Sequence, residues 1–313
     1  MISIIIPVFN EAENLDILDA KLKDVFKNHP PEDIEFLYIN DGSTDTSESI
    51  LLTLSKTYPN THLLSFSRNY GQTAALDAGF KAAKGDILIT LDADLQNDPA
   101  DIPMFLDKIE EGYDVVSGWR KNRKDPFFSK KIPSYLANLV IRVVTKAKIH
   151  DFGCTLKAYR KKYMKNVNLY GEMHRFIPVY AQWNGAKITE IVTTHHPRKH
   201  GQSKYGIGRT WKVLLDLLTI HFLGKYSVSP IYFFGKASFI CMLSGTMTFS
   251  FVLYRRYFLG AGWISPMIFI GFFLFGLAIQ CLFFGIIAEI LSRIYYQNEN
   301  KSPYYIKSFS RDA

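Results

Sequence analysis

Short apolar runs alternate with stretches of helical period along the first third of the chain. The runs Ile2–Ile6, Ile34–Ile39, His62–Phe66, Asp86–Leu91 and Val115–Ser117 predict strands. Between them, Glu11–Phe26, Thr46–Leu54, Thr73–Ala83 and Ile102–Glu110 place apolar residues at helical spacing. Strand and helix in alternation predict a parallel α/β sheet. Such sheets bind ligands beyond the carboxyl ends of their strands. Three polar clusters fall there, Asn10-Glu11, Asn40-Asp41-Gly42-Ser43 and Asp92-Ala93-Asp94, and are expected to converge on one crevice.

The pattern then changes. A basic stretch with Arg123, Lys124, Lys130 and Lys131 precedes an amphipathic helical segment at Tyr135–Val144, which suits either a membrane interface or a core helix behind a solvated loop. Arg209–Phe222 sets Trp211, Leu214, Leu215, Leu217 and Leu218 beside Arg209 and Lys212, and reads as interfacial. Pro230–Tyr254 and Trp263–Leu291 are apolar on every face and long enough to cross a hydrocarbon core of roughly 30 Å. Gly260, Gly262 and Pro266 punctuate their junction, so a helical hairpin is expected.

Charge orients that hairpin. Lys204, Arg209, Lys212 and Lys225 precede it and Arg293, Lys301, Lys307 and Arg311 follow it, whereas the connection offers only Arg255 and Arg256. Both flanks on the cytoplasmic side satisfies the positive-inside rule. The stretch Met1–Pro7 has no basic n-region and reads as a first strand, so no signal peptide is expected and the large N-terminal region should stay in the cytoplasm. The net charge of +8 crowds near the apolar spans and fits anionic lipid better than nucleic acid. Cys154, Cys241 and Cys281 are an odd, scattered set and suit free thiols. With 313 residues, 48% of them hydrophobic, the chain exceeds one ordinary domain.

The strongest candidate chemistry lies at residues 88–99, where an apolar strand runs directly into Asp92 and Asp94. Two carboxylates at a strand end suit Mg²⁺ or Mn²⁺, which keeps some waters and completes its shell with substrate phosphates. Asp98 is placed to cap the next helix, with Pro99 in its first turn. No G-x-G-x-x-G follows a strand and no G-x-x-x-x-G-K-[ST] occurs, which removes the main support for a dinucleotide dehydrogenase or a P-loop enzyme. His195, His196 and His200 lack a closed tetrahedral set and do not read as a zinc site.

Taken together, Ile4–Glu11, Asn40–Ser43, Asp92–Gln96 and the two C-terminal spans resemble the family-two inverting glycosyltransferases. Within them the chain is similar to the polyisoprenyl-phosphate glycosyltransferases, the group containing dolichyl-phosphate mannose synthase and undecaprenyl-phosphate aminoarabinose transferase. The blocks Asp151–Arg160 and His195–Tyr205 carry the more specific part of that similarity. One departure is Asn40, where the family often has aspartate, which leaves Asp41 as the better nucleotide contact.

The resemblance implies a nucleotide-sugar-binding, Rossmann-like GT-A domain at 1–205 in the cytoplasm, a juxtamembrane amphipathic helix at 206–228, two transmembrane helices at 229–292 and a cytoplasmic tail at 293–313. It implies transfer of a sugar, UDP-linked in the subgroup most resembled, to an undecaprenyl- or dolichyl-type phosphate carrier, for cell-envelope or glycan modification. It implies self-association as well. Pro7, Asn10, Glu11, Asp41, Asp92, Gln96 and Arg120 would bind the nucleotide-sugar; Asp94, with Asp92 and Gln96, would hold the metal that bridges the diphosphate. Arg175, Arg198, Ser203 and Lys204 would hold the acceptor phosphate. That phosphate, with a second pKa near 6, is already largely anionic at pH 7. Asp151 is therefore either a dispensable base or the group that orients a cation or the sugar. In the spans, Lys236 can snorkel or meet a lipid phosphate, and Glu289 and Arg293 fit an i, i+4 ion pair. A processive polysaccharide synthase should carry Gln-x-x-Arg-Trp and more spans, and neither is present. A non-catalytic scaffold binding sugar-lipid sits poorly with the intact carboxylates.

Overall fold

The computed structural model describes residues 1–121, 138, 139, 141, 142, 145, 147–164, 169, 173–197, 219, 222, 226, 229–260, 262 and 266–298, without the side chains of 295–298. The chain divides into two units, Met1–Leu218 and Thr219–Ala313.

In the first unit the described residues form a seven-stranded sheet from β1 (Ile2–Val8), β2 (Ile34–Asn40), β3 (Thr61–Ser65), β4 (Ile87–Thr90), β5 (Val115–Trp119), β6 (Lys157–Arg160) and β7 (Ile188–Val192), in the order β3-β2-β1-β4-β6-β5-β7. The five strands expected from the sequence, β1 to β5, run parallel to one another; β6, which that reading did not include, lies antiparallel between β4 and β5, matching Leu88 to Tyr159 and Val116 to Ala158. Two-residue alternation sorts the core. Ile4, Ile6, Val8, Ile89 and Leu91 pack with Leu15, Leu18 and Leu22 of α1 (Ala12–Val25), Leu51 of α2 (Ser47–Thr57), and Ile102, Phe105 and Ile109 of α4 (Ile102–Glu110). On the opposite face, Ile5, Leu88, Val115 and Tyr159 meet Ala75, Leu76 and Phe80 of α3 (Gln72–Ala82) and Ile177 and Ala181 of α5 (Ile177–Trp183). Beyond the apolar positions of that second face, toward the strand ends, come Thr90, Ser117 and Lys157. The core therefore gives way to polar residues where a ligand crevice is expected.

In the second unit, α6 (Ile231–Leu259) and α7 (Pro266–Asn298) pack along each other. Ser238 Oγ donates to the Ala278 carbonyl at 2.8 Å, and Phe249 meets Phe272 and Phe275 at 5.1 and 5.6 Å between ring centres. Both helices are long and apolar enough to cross a membrane, with mean hydropathies of 1.5 and 2.4, and only 11% of each apolar window is buried within the protein. A core helix would be mostly buried; these are not. Arg293 pairs with Glu289 at 3.4 Å, as their spacing predicts. The three cysteines are free thiols. The boundaries expected at 205/206 and 228/229, Ser203 and Lys204, and most of Tyr135–Val144 and Arg209–Phe222 lie outside the described residues.

Candidate active site

The segments that follow β1 and β2 are stitched together by short polar side chains. Asn10, in the left-handed region at φ 54°, receives the Thr44 N–H on its Oδ1 at 2.7 Å and donates its own N–H to Ser43 Oγ at 3.0 Å. Glu11 donates its N–H to Ser47 Oγ at 3.0 Å and accepts from Asn14 Nδ2 at 2.6 Å. Pro7, on β1, lies opposite Ile39 of β2. Asp41 is buried. Its Oδ1 accepts from Tyr70 N–H at 2.7 Å, and its Oδ2 from Gly71 N–H at 2.9 Å and Asn69 Nδ2 at 3.0 Å. Burial raises its pKa, and the Tyr70 and Gly71 N–H groups offset only part of that. Asp41 thus organises the loop that opens α3.

That loop delivers a residue the sequence did not single out. Gln72, the first residue of α3, donates from Nε2 to Asp92 Oδ1 at 2.6 Å. Asp92 is half-buried and Asp94 buried, with Asp94 Oδ1 accepting the Gln96 N–H at 3.1 Å. Leu95 takes φ 58° between them, an unusual conformation for a leucine that turns the chain sharply after the carboxylates. Burial and the Asp94 charge push the Asp92 pKa well up, against hydrogen bonds from Thr155 and Gln72 and the charge of Arg120. Two carboxylates close enough for the charge of one to push up the pKa of the other fit a divalent cation. Among the described residues no third His, Cys, Asp or Glu joins them, so the donor set suits a hard ion that takes its remaining oxygens from water and phosphate.

Arg120 and Asp151 pair directly, within electrostatic reach of Asp92. Arg120 Nε donates to Asp151 Oδ2 at 2.8 Å and Nη2 to Oδ1 at 3.0 Å, with the two side chains 12% and 4% exposed. The N–H groups of Arg120 and Gly153 also donate to this carboxylate, at 3.3 and 3.0 Å. Burial alone would favour a neutral guanidine; the Asp151 charge outweighs it and holds the Arg120 pKa above its usual value. Beside the pair lies Lys157, buried and also unforeseen, whose Nζ donates to the Phe152 carbonyl at 3.2 Å. Arg175, in the turn Met173–Phe176, adds a further cation within electrostatic reach of Lys157. Its neighbour His174 hydrogen-bonds Thr73 Oγ1 through Nδ1 at 2.7 Å.

The loop after the carboxylates is held from three sides. Asp98 caps the 3-10 turn Pro99–Asp101 by accepting from Ala100 N–H at 3.2 Å, which matches its expected role. Asn97 donates to Thr155 Oγ1 at 2.9 Å, and His196 Nε2 hydrogen-bonds Asp98 Oδ2 at 2.8 Å. The structure therefore brings Asp92 within electrostatic reach of Asp94 and Arg120, pairs Arg120 with Asp151, and connects Asp41 to Asp92 through the loop that ends at Gln72, while Asn10 and Glu11 are tied to the segment Ser43–Ser47. Arg198, Ser203 and Lys204 lie outside the described residues. Sequence reasoning missed Asn69, Gln72, Asn97, Thr155 and Lys157.

The description Glycosyl transferase family 2 matches residues 3–167. Dodecaprenyl-phosphate galacturonate synthase from Rhizobium johnstonii is 37% identical, with 99% of this chain and 93% of the relative covered. Undecaprenyl-phosphate 4-deoxy-4-formamido-L-arabinose transferase from Photorhabdus laumondii is 33% identical, with coverage of 99% and 94%. Among solved structures, glucosyl-3-phosphoglycerate synthase from Mycobacterium tuberculosis, in complex with Mn²⁺, UDP and phosphoglyceric acid, superposes with a TM-score of 0.53 at 16% identity, covering 71% of this chain and 78% of that one. At that identity the likeness shows a shared fold.

Proposed function

This chain belongs to glycosyltransferase family 2, and from that premise we propose that it transfers a sugar, with inversion, from a nucleotide donor to a polyprenyl phosphate at a membrane surface. The observation that carries this reading is similarity over 99% of the chain to two relatives whose names specify a polyprenyl-phosphate sugar. In this reading the nucleotide lies against Pro7, Asn10, Glu11 and Asp41, and Asp92, Asp94 and Gln96 would hold Mg²⁺ or Mn²⁺. Such an ion supplies charge neutralisation for the departing nucleotide. Asp151 locks the Arg120 guanidinium by two bonds, and Arg120 Nη1, which has no hydrogen-bond partner among the described residues, is left to donate to a diphosphate oxygen.

The acceptor phosphate, already anionic, needs no deprotonation; Arg175, Arg198, Ser203 and Lys204 orient its oxygen toward the anomeric carbon. One bond forms from that oxygen to the anomeric carbon as the bond to the nucleoside diphosphate breaks on the opposite side. The same reading puts the first unit in the cytoplasm and the two long helices in the inner membrane.

The test is nucleotide release by the detergent-solubilised protein across UDP- and GDP-sugars, with and without undecaprenyl phosphate and Mn²⁺. Release should require both lipid and metal. Asp94→Asn should retain less than a tenth of wild-type kcat, a barrier increase above about 1.4 kcal/mol. Equal release without lipid overturns the acceptor assignment, and a faster Asp94→Asn overturns the metal assignment.

A further inference from the structure

A polar side chain stands at the middle of α7. Gln280 lies fourteen residues from each end of the candidate span Pro266–Ile294, about 21 Å at 1.5 Å per residue. With a hydrocarbon core roughly 30 Å thick, its amide falls near the midplane of a bilayer that the helix crosses. A lysine or arginine could run its stem to an interface, but a glutamine is too short to do so from that depth.

The helix also turns this amide away from α6. Ala278, whose carbonyl accepts from Ser238 Oγ at 2.8 Å, is two residues away, or about 200° of rotation at 3.6 residues per turn. Gln280 is accordingly exposed, and its amide has no hydrogen-bond partner among the described residues. One turn earlier on the same face, Gly276 is exposed as well, and a Cβ there would meet nothing within 4 Å. Gly271 and Gly285 are different. They face α6, where a Cβ would lie 2.8 Å from Phe249 Cε2 and 3.0 Å from Phe234 Cβ respectively. Packing within the hairpin therefore accounts for those two glycines and leaves Gly276 as an open notch beside Gln280.

Lipid cannot satisfy the amide. Hydrocarbon offers neither donor nor acceptor, so an amide left there without a partner is costly. Between membrane helices, small residues allow close approach and glutamine side chains hydrogen-bond across the contact. A glutamine amide both donates and accepts, so two of them related by a two-fold axis complete each other, Nε2 to Oε1 in both directions. A second copy of this chain meets that requirement by construction, because it carries the same amide at the same depth beside the same notch. We propose that α7 of one copy packs on α7 of another across this face, with Gly276 allowing the approach and Gln280 pairing with its counterpart at mid-membrane. The inference rests on the proposed placement of the two helices in the membrane and on nothing about the sugar or the acceptor.

The test uses the full-length protein, labelled with a fluorophore pair and reconstituted in phosphatidylethanolamine and phosphatidylglycerol vesicles, with energy transfer followed as lipid is added. Wild-type protein should show transfer that falls on dilution. Gln280→Leu should shift the apparent dissociation constant at least tenfold toward the monomer, Gln280→Asn should recover most of that loss through its amide, and Gly276→Leu should weaken association to a similar degree by filling the notch. Wild-type protein that is monomeric at every dilution overturns the inference and leaves the face to lipid or to another membrane protein. Association of Gln280→Leu within twofold of wild type overturns it too. Should Gln280→Leu lose helical content by circular dichroism, Gly276→Leu decides, and its unchanged association is the overturning result. Carbonate extraction of the same vesicles separates the premise: protein stripped from them fails the membrane placement, whereas integral protein that stays monomeric fails only the association.

Discussion

Lys157 brings an ammonium group to a position on β6 that is 3% exposed, opposite Thr90 and Ser117 in the neighbouring strands. Burial lowers its pKa to about 8; Cys154 and Asp151 oppose that shift, and Arg120 and Arg175 reinforce it. In the unfolded chain the group titrates near its ordinary value, about 10.4. Between these two values the unfolded chain holds a proton that the folded chain has released, so stability rises with pH across that window. Below about pH 8 the full penalty applies, on the order of 3 kcal/mol at most. Above the upper value the group is neutral in both states and the penalty vanishes. Replacing Lys157 with methionine removes the penalty together with the hydrogen bond to Phe152, and that bond's loss does not depend on pH in the same way. The thermal midpoint of Lys157→Met relative to wild type should therefore be higher at pH 7 than at pH 10. An offset that is the same at both pH values would refute the buried charge.

Among the elements, α3 shows how one carboxylate sets a distant contact. Asp41 at the end of β2 gathers the N–H groups of Tyr70 and Gly71, and this fixes where α3 begins and so where Gln72 meets Asp92. Gly42 permits that approach: its φ is +65°, and a Cβ there would lie 2.3 Å from the backbone carbon of Arg68. Gly42→Ala should weaken UDP binding in Mn²⁺ at least tenfold by calorimetry and lower the thermal midpoint. Gly112→Ala shares a positive φ of +96° with open space around it, and so should incur only the conformational cost, about 1 kcal/mol, with UDP affinity unchanged. Equal effects from the two variants would show that the loop contact is not what matters. The same elements explain what could be read in advance. β1 to β5 and α1 to α4 follow from period, and α4 spans Ile102–Glu110 as its apolar spacing predicts. β6 escaped because Lys157 sits in a buried slot of a four-residue strand, and α5 because seven residues are too few to show a period. Asp92 and Asp94 were visible because a strand points at them. Asn69 and Gln72 were not, since their place depends on how Asp41 folds a loop 28 to 30 residues away in sequence. Arg120 read as a diphosphate ligand and Asp151 as a base or as the group that orients a cation or the sugar; which cation it meets, Arg120 31 residues away, is a product of the tertiary fold.

For the whole molecule the decisive quantity is the orientation of α6 and α7. Each has a 29-residue candidate span, about 44 Å at 1.5 Å per residue, which exceeds the hydrocarbon thickness of roughly 30 Å and leaves room for tilt. Phe258, Phe269 and Phe273 are 76%, 70% and 69% exposed, an apolar surface that lipid would cover. An even number of crossings returns the chain to the side from which it started, so one connection decides the topology. Arg255 and Arg256 at the end of α6 oppose translocation of that connection, but the four basic residues Lys204, Arg209, Lys212 and Lys225 before α6, with Arg293, Lys301, Lys307 and Arg311 after the spans, outweigh them. On the function proposed above, a donor made in the cytoplasm requires the same direction, because the first unit would have to meet it there. In a background with Cys241 and Cys281 replaced by serine, a cysteine introduced as Gly260→Cys should react with a membrane-impermeant maleimide in intact spheroplasts. Arg293→Cys should react only after lysis. The reverse pattern would place the first unit outside the cell and remove its access to nucleotide-sugar. Labelling of both sites in intact spheroplasts would mean that the two helices do not cross the bilayer, and the lipid acceptor would then have to be reached from a protein lying on the membrane rather than anchored through it.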